Sequence, residues 1–489
     1  MMKSKTGDWF IKNPQRGRSN NSVLLLRDQV TQEQFDKIME STKQFGEPGF
    51  IWADDKECLY NPCVEVSLYA HDEKGNSGCE FCNLSEINMK GITTADEFYR
   101  ACEAAAIIGT LQAGYTDFPY LGKITESIVR KEALIGVSMT GMMDSPKIAF
   151  DPEIQRAGAQ VVVRTNQRIA KLIGINPSAR CTCVKPAGTT SCLLSTSSGI
   201  HPHHAQRYLR RVQANISEEP LQFYKRYNPE SVETSVWSAN KSDDVITFLC
   251  EIPKGAMDKD EVSAVQLLDY VKLTQDNWVN GGRVVERCAK RFLQHNVSNT
   301  ITVKPDEWDD VAKHIYKYRQ SYAGVSLLGA SGDRDYQQAP FKKVYTEEEI
   351  IKMYGPAALF ASGLIIHALQ AFNNNLYGAC DSFLGIGERL EPLPLLADTD
   401  IPESIDKLQL LFQKRMWIKR AEKFAGRYFN GDRRQLTYCL KDVDGLKCWY
   451  DLKRSLKPVP WEEMLEETDN TKVEQTVACA GGACVLTKI

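Results

Sequence analysis

Apolar residues recur at helical spacing along two long stretches of the chain. Between 96 and 112, Phe98, Ala101, Ala105, Ile108 and Leu111 return every three or four residues, which predicts an amphipathic helix with that stripe against a core. A second helix is predicted over 153–173, where Val162, Ile169, Leu172 and Ile173 share one face and Gly174-Ile175-Asn176-Pro177 ends it. Short apolar, β-prone runs at 181–184, 245–249 and 300–303 predict buried strands. Helical and strand-like segments alternate without an internal repeat, so the expected class is α/β with a mainly internal sheet. The apolar stretch 357–372 is too short to span a bilayer and is interrupted by Ser362, Gly363, His367 and Gln370. It predicts a buried helix and no membrane association. After 456 the pattern fades: 461–476 is acidic with few apolar residues, and Ala478-Cys479-Ala480-Gly481-Gly482-Ala483-Cys484 follows. The expected division is a folded body over 1–456 and a flexible tail over 457–489.

Composition narrows the field. A chain of 489 residues can bury a large core, and a net charge of −3 from 60 basic and 63 acidic residues provides no positive field for a nucleic acid polymer. The N-terminus has charge but no apolar run after it, so a cytoplasmic location is expected. Fifteen cysteines, an odd number, argue against a purely structural disulfide framework in such a compartment. Cys102, Cys250, Cys288 and Cys380 lie in apolar surroundings and read as small core residues.

Four segments carry possible chemistry. In Asn61-Pro62-Cys63-Val64-Glu65, Pro62 disfavours helix and biases Asn61 toward extended backbone. Extended chain would place Asn61, Cys63 and Glu65 on one side, where an amide, a thiol and a carboxylate can hold, react with and deprotonate a hydroxylated substrate. The same five residues also suit an ordinary loop cysteine. Cys79 and Cys82 are spaced for redox exchange or for half a zinc site, with Cys181 and Cys183 or the tail pair as the remaining ligands. His201, His203 and His204 suggest a metal, but Pro202 interrupts them and no acidic or thiol partner is near in sequence, so packed or hydrogen-bonded roles are expected and no metal site is assigned. Pro186, Ala187, Gly188, Thr189, Thr190 and Ser191 follow a strand-like run and predict a turn at which backbone N–H groups can approach an anion. An ordinary turn, with Thr and Ser capping a helix, is the alternative. Cys479 and Cys484, on a glycine-containing tip, suit a shuttle for reducing equivalents. The linker from Lys457 to Cys479 would span about 25 Å as a flexible chain.

Taken in order, these motifs resemble those of ribonucleotide reductase catalytic chains. Asn61 to Glu65, then Cys82-Asn83-Leu84-Ser85-Glu86-Ile87-Asn88, then Pro186 to Ser191, then the terminal pair, follow the family's sequence. Asn13 to Ser22, Gly46 to Phe50, Gly114 to Pro119 and Ser198 to His204 extend the resemblance over nearly the whole chain. The resemblance implies a ten-stranded α/β barrel, of which this chain is the second part, with a central finger loop. It implies that Cys63 becomes a thiyl radical that takes the substrate's 3′ hydrogen, that Glu65 accepts the 3′-hydroxyl proton and that Asn61 holds the substrate. Cys82 would be one of two cysteines that reduce the 2′ carbon, Cys479 and Cys484 would re-reduce that pair, and Pro186 to Ser191 would bind the substrate phosphates.

The family's other active-site cysteine and its allosteric segment lie upstream of anything in this sequence. A separate N-terminal half is therefore expected as partner, together with a thioredoxin- or glutaredoxin-type reductant and a ribonucleotide. Cys79 departs from the family's pattern. Members that receive a radical from an iron subunit carry adjacent tyrosines near Gly445-Leu446-Lys447-Cys448-Trp449-Tyr450-Asp451, and here Asp451 follows Tyr450. That favours a radical generated on site with adenosylcobalamin as cofactor. No Asp-x-His-x-x-Gly occurs, so neither His71 nor the His201 cluster is expected to ligate cobalt. A catalytically inactive scaffold or regulatory subunit is the alternative reading, and a zinc-binding interaction protein the third.

Overall fold

In chain order the strands are β1 (Ser22–Leu26), β2 (Gly49–Ala53), β3 (Leu59–Tyr60), β4 (Ser67–Leu68), β5 (Leu84–Asn88), β6 (Gly136–Thr140), β7 (Arg207–Asn215), β8 (Val232–Thr234), β9 (Asp243–Glu251), β10 (Thr300–Val303), β11 (Gly324–Gly329) and β12 (Phe341–Lys343). The helices are α1 (Gln32–Phe45), α2 (Ala95–Ala113), α3 (Gly122–Glu132), α4 (Pro146–Ala149), α5 (Pro152–Ile173), α6 (Gly188–Leu194), α7 (Glu219–Tyr227), α8 (Ala264–Thr274), α9 (Trp308–Lys317), α10 (Glu347–Tyr354) and α11 (Arg433–Ser455). This computed structural model describes residues 12, 16, 21–81, 83–238, 240–330, 338–354 and 432–465. The expected helix at 357–372, Cys82, Cys380, Cys479, Cys484 and the tail past 465 lie outside the described residues. No helix among the described residues is long and apolar enough to cross a membrane.

Two units divide the described chain, one from Met1–His203 and Ile252–Ser331, the other from His204–Glu251 and Gly332–Lys472. The second unit holds an antiparallel sheet in the order β12-β7-β9-β8. The apolar run at 245–249 falls in its central strand β9, buried from Asp244 to Thr247 and half-buried beyond.

In the first unit, β1 and β2 run parallel, β11 pairs antiparallel with β2, and β10 runs parallel to β11, as expected for a strand at 300–303. A second wall begins with the parallel pair β5 and β6. The run at 181–184 extends that wall without becoming a regular strand. It meets β6 through the Val137–Thr182 bridge and the segment 296–298 through the Val184–Val297 bridge, one residue on each side. Cys181, Cys183 and Val184 are fully buried there.

Local chemistry starts the helices where the sequence predicts. Thr94 and Glu97 form a reciprocal capping box at α2, and Asp151 accepts the N–H groups of Glu153 and Ile154 at 2.9 and 3.0 Å before Pro152 opens α5. The predicted faces are partly wrong. Phe98 and Ala105 are buried, but Ile108 and Leu111 are 60% and 50% exposed. The buried stripe of α2 runs instead through Phe98, Cys102, Ala105, Ala106, Gly109, Thr110 and Ala113. Small residues allow that face a close approach: a Cβ on Gly158 of α5 would lie 2.5 Å from the Phe98 ring, and one on Gly109 would lie 3.4 Å from Ser85 Oγ. On α5, Val162 and Ile169 are buried but Leu172 is 74% exposed. At about 100° per residue Leu172 lies well off the line through Val162 and Ile169. Ile173, on that line but in the last turn, is half-exposed.

Phe98 also packs on Trp278, with centroids 5.7 Å apart, and Trp278 Nε1 donates to the Cys183 carbonyl at 2.9 Å. The α2–α5 contact thus reaches the wall. Gly158→Ala should lower stability by about 1–3 kcal/mol in chemical denaturation, because the added methyl must displace the Phe98 ring. Adding Phe98→Leu should recover part of that loss; if the double variant is the sum of the single losses, the close approach is not the cause.

Candidate active site

β3 and β4 form a two-rung antiparallel ladder, Leu59 opposite Leu68 and Tyr60 opposite Ser67, and residues 61–66 close it. Cys63 therefore sits at a hairpin tip. The expected extended backbone is absent: the Val64 N–H donates to the Asn61 carbonyl at 2.8 Å, a tight turn with Pro62 and Cys63 at its centre. Proline fixes a backbone angle that suits the second position of a turn as well as a strand. Val64 leaves the turn at φ +64°, the left-handed region. Alternation along a strand thus does not bring Asn61, Cys63 and Glu65 together. Asn61 instead folds the tip, its N–H donating to the Val66 carbonyl at 3.3 Å and its Oδ1 accepting the Val66 N–H at 2.9 Å, and its side chain lies near enough to the Glu65 carboxylate to lower it.

A buried polar segment grips this tip from outside. Asn296 Nδ2 donates to the Val64 carbonyl at 2.8 Å, its N–H to the Glu65 carbonyl at 2.9 Å, and its Oδ1 accepts the Gly324 N–H at 3.0 Å. Ser298 Oγ donates to the Cys63 carbonyl at 2.6 Å. At the hairpin base the Ser67 N–H donates to His295 Nδ1 at 3.2 Å, so His295 Nε2 carries the hydrogen it shares with the Ile135 carbonyl at 3.2 Å. Burial pushes His295 down to about 3, which keeps it neutral. Arg180, 1% exposed, makes two bonds of 2.9 and 3.0 Å to the Glu132 carboxylate and a third of 3.1 Å to the Ser67 carbonyl. Glu80 accepts the Tyr69 N–H at 2.8 Å and lies against Glu132.

The electrostatics at the tip favour protonated sulfur. Burial and the Glu65 charge raise the Cys63 thiol above its ordinary range, with Lys185 opposing. Burial raises the Glu65 carboxyl too, opposed by the Asn61 bond and the Lys185 charge. Glu65 is 2% exposed, and its Oε2 has no hydrogen-bond partner among the described residues. Cys63 is only half-buried. The arrangement can present an S–H bond and, next to it, an oxygen ready to accept a hydroxyl proton.

The other sequence-derived residues fall as follows. Pro186 and Ala187 lead into α6, which spans Gly188 to Leu194 and so includes Thr189, Thr190 and Ser191. The expected Thr or Ser cap is not there: Ala187 occupies the N-cap position without a side-chain bond, and its N–H donates to Ser198 Oγ at 2.9 Å. Cys79 is exposed, and its N–H donates to Thr125 Oγ1 at 3.1 Å. His201 is bonded to the Ser198 carbonyl at 2.8 Å and accepts the Thr300 N–H at 2.9 Å, His203 meets Asp144 at 3.0 Å, and His204 stacks on Phe341. In α11, Tyr450 donates to the Glu347 carboxylate, and Asp451 pairs with Lys447 and Arg454 at 3.4 and 2.6 Å. Sequence reasoning missed Arg180, Glu132 and the anchors His295, Asn296 and Ser298. The available signal was Gln294-His295-Asn296-Val297-Ser298-Asn299, an uncharged polar run directly before a strand.

No family model matches the chain. Individual proteins do. The chain is 27% identical over 376 residues to a reductase of Levilactobacillus brevis, covering 66% of this chain and 46% of that protein. It is 26% identical over 386 residues to one of Lactobacillus leichmannii, covering 68% and 47%, and 24% identical over 407 residues to one of Lacticaseibacillus paracasei, covering 73% and 50%. Its curated homologues are adenosylcobalamin-dependent ribonucleoside-triphosphate reductases. The chain spans about half the length of these reductases. A solved B-12 dependent (class II) ribonucleotide reductase matches with a TM-score of 0.54 and 22% identity, over 69% of this chain and 50% of that one, which shows a shared α/β fold.

The carboxyl pair beneath the hairpin makes the stability of the fold depend on pH. Burial and the neighbouring Glu132 push Glu80 up to about 8 from 4.5. The folded chain then keeps a proton that the unfolded chain releases, so stability falls as pH rises from about 4.5 to about 8. Glu132, held lower by Arg180, acts below this window. Glu80→Gln should flatten the fall: melting temperature against pH should decline less for the variant across this window, and parallel curves would disprove it.

Proposed function

We propose that the chain is the radical-bearing part of a ribonucleotide reductase, with Cys63 as the thiyl residue. The observation that supports this best is a half-buried thiol at a hairpin tip, raised by burial and the Glu65 charge, beside a buried carboxylate with an unbonded oxygen. Nucleophilic, exchanging or metal-binding cysteines work as thiolates and sit where their pKa is lowered. Hydrogen-atom transfer instead needs the S–H bond. A scaffold role leaves this arrangement without purpose, and a zinc role needs the opposite shift. Among the described residues no group of three or more His, Cys, Asp or Glu could hold a metal ion.

In the proposed reaction the Cys63 thiyl takes the 3′ hydrogen of a ribonucleotide while Glu65 accepts the 3′-hydroxyl proton and Asn61 holds the substrate. The 2′ hydroxyl leaves as water after protonation. Two thiols, one of them Cys82, give up two electrons and become a disulfide, and Cys63 returns the 3′ hydrogen. Exchange with Cys479 and Cys484 would restore the dithiol, and a thioredoxin- or glutaredoxin-type protein would reduce the tail. Pro186 to Ser191 are the proposed phosphate site, and the homologues' name favours a triphosphate substrate. Adenosylcobalamin is the proposed cofactor, and when bound it supplies the initiating radical by homolysis of its cobalt–carbon bond. Cys63, half-buried at its hairpin tip, would be the residue of this chain that presents an S–H bond there, and no cobalt ligand is assigned to this chain. The wall of β5, β6, 181–184 and 296–298 is proposed as part of a ten-stranded barrel, with β3 and β4 as its finger loop. The resemblance implies a second redox cysteine upstream of this sequence, so an equivalent N-terminal half should act with it, on the same or another polypeptide. The proposed working division remains a body to 456 and a redox tail from 457, in the cytoplasm.

With the complementing half, adenosylcobalamin and reductant present, Cys63→Ala should abolish deoxynucleotide formation while preserving nucleotide binding by calorimetry. Residual turnover would remove Cys63 from the mechanism. Cys479→Ser should spare one turnover in rapid-quench assays but block recycling by thioredoxin; equal loss of both would refute the shuttle.

A further inference from the structure

The ion pair between Lys185 and Glu86 is not used by the chemistry above. Register sets Leu84 opposite Gly136 and Glu86 opposite Ser138, so by alternation all four face one side of the β5–β6 wall. That side faces the hairpin, because a Cβ on Gly136 would lie 3.7 Å from Val66 Cγ2 and 3.0 Å from Cys183 Sγ. Lys185 follows Cys183 by two residues, and its N–H donates to Ser138 Oγ at 2.9 Å. Its Nζ lies 3.3 Å from Glu86 Oε2, the two side chains 20% and 10% exposed. Glu86 Oε1 is buried without a hydrogen-bond partner among the described residues. The neighbouring Val184 carbonyl accepts the Ser298 N–H at 2.8 Å, and Ser298 Oγ holds the Cys63 carbonyl. The ammonium thus belongs to the segment that lies beside 296–298, whose Ser298 grips the thiol's own backbone.

We propose that Lys185 is a positioning residue of this centre: held on Glu86 and tied to the wall that grips the hairpin tip, it supplies the positive charge of the pocket that Cys63 and Glu65 share. The inference rests on the reading of Cys63 and Glu65 as the reacting pair. Among the described residues, the charged and titratable groups that act on the tip are Cys63 and Glu65 on the hairpin and Lys185 on the wall, with Glu86 behind it on β5. Lys185 lies close enough to Cys63 and Glu65 to lower both. Neutralising it should therefore raise both groups. Removing the Glu86 charge should leave the ammonium uncompensated and lower both.

The test is the rate of Cys63 alkylation by iodoacetamide against pH in the full chain, followed by peptide mass spectrometry. Lys185→Met should move the Cys63 profile up by about half a pH unit or more, a slowing of about threefold at fixed pH, with Lys185→Arg restoring it. Glu86→Gln should move it down. The fully buried Cys102 and Cys181 should stay unmodified in every variant, which reports an intact fold. An unchanged profile in Lys185→Met, or shifts of the same sign in Lys185→Met and Glu86→Gln, would overturn the proposal. Opposite shifts in a chain that forms no deoxynucleotide with its complementing half would keep Lys185 in place and fail the reductase reading instead.

Discussion

Arg180 carries a full charge into the interior, and the position of the hairpin depends on how that charge is met. Its guanidinium fork takes both oxygens of Glu132 and still reaches the Ser67 carbonyl on β4. A lysine could not make that planar, three-way contact. Breaking a buried pair of this kind costs about 3–5 kcal/mol, because the remaining charge has no water to turn to. The cluster is nevertheless weak evidence for net stability, since two apolar side chains can fill such a space equally well. Its value here is geometric. It binds the Ser67 carbonyl of β4, and with His295 it sets where the hairpin enters and therefore where the tip ends.

Above this base the tip is governed by amides and hydroxyls. Asn296 alone holds two carbonyls of the loop and one N–H of β11. Neutral groups anchor without adding charge beside the thiol. Among the described residues, the charges that act on Cys63 are Glu65 and Lys185, the latter paired with Glu86, in a partly dehydrated pocket where each has more influence than it would in water.

Much of this was legible in the sequence, and what was not has physical causes. The identity of Cys63, Glu65 and Asn61 as a group could be read from one pentapeptide, but their geometry could not. Proline is compatible with strand and turn alike, and what selects the turn is Asn61 closing on Val66 together with Asn296, more than two hundred positions away. The helices of 95–113 and 152–173 were legible because caps and periodicity are local. Their buried faces were less so: Ile108 and Leu111 lost to glycines and alanines, since close packing of α2 on α5 rewards small residues over large ones. Arg180 and Glu132 are separated by 48 positions and look like surface charges in a sequence. Only their meeting reveals them.

Val64 closes the account of the tip. A β-branched residue at φ +64° sits uphill by about 1–3 kcal/mol, and the position is not a glycine. The loop is therefore bent against its own preference and stays so only while Asn296 and Ser298 grip it. Like a cocked latch, it gives the thiol its address only when the surrounding wall is in place. A chain whose wall has come apart would relax this loop and lose the placement of sulfur and carboxylate together, so the tip's arrangement is itself a report on whether the wall around it is intact.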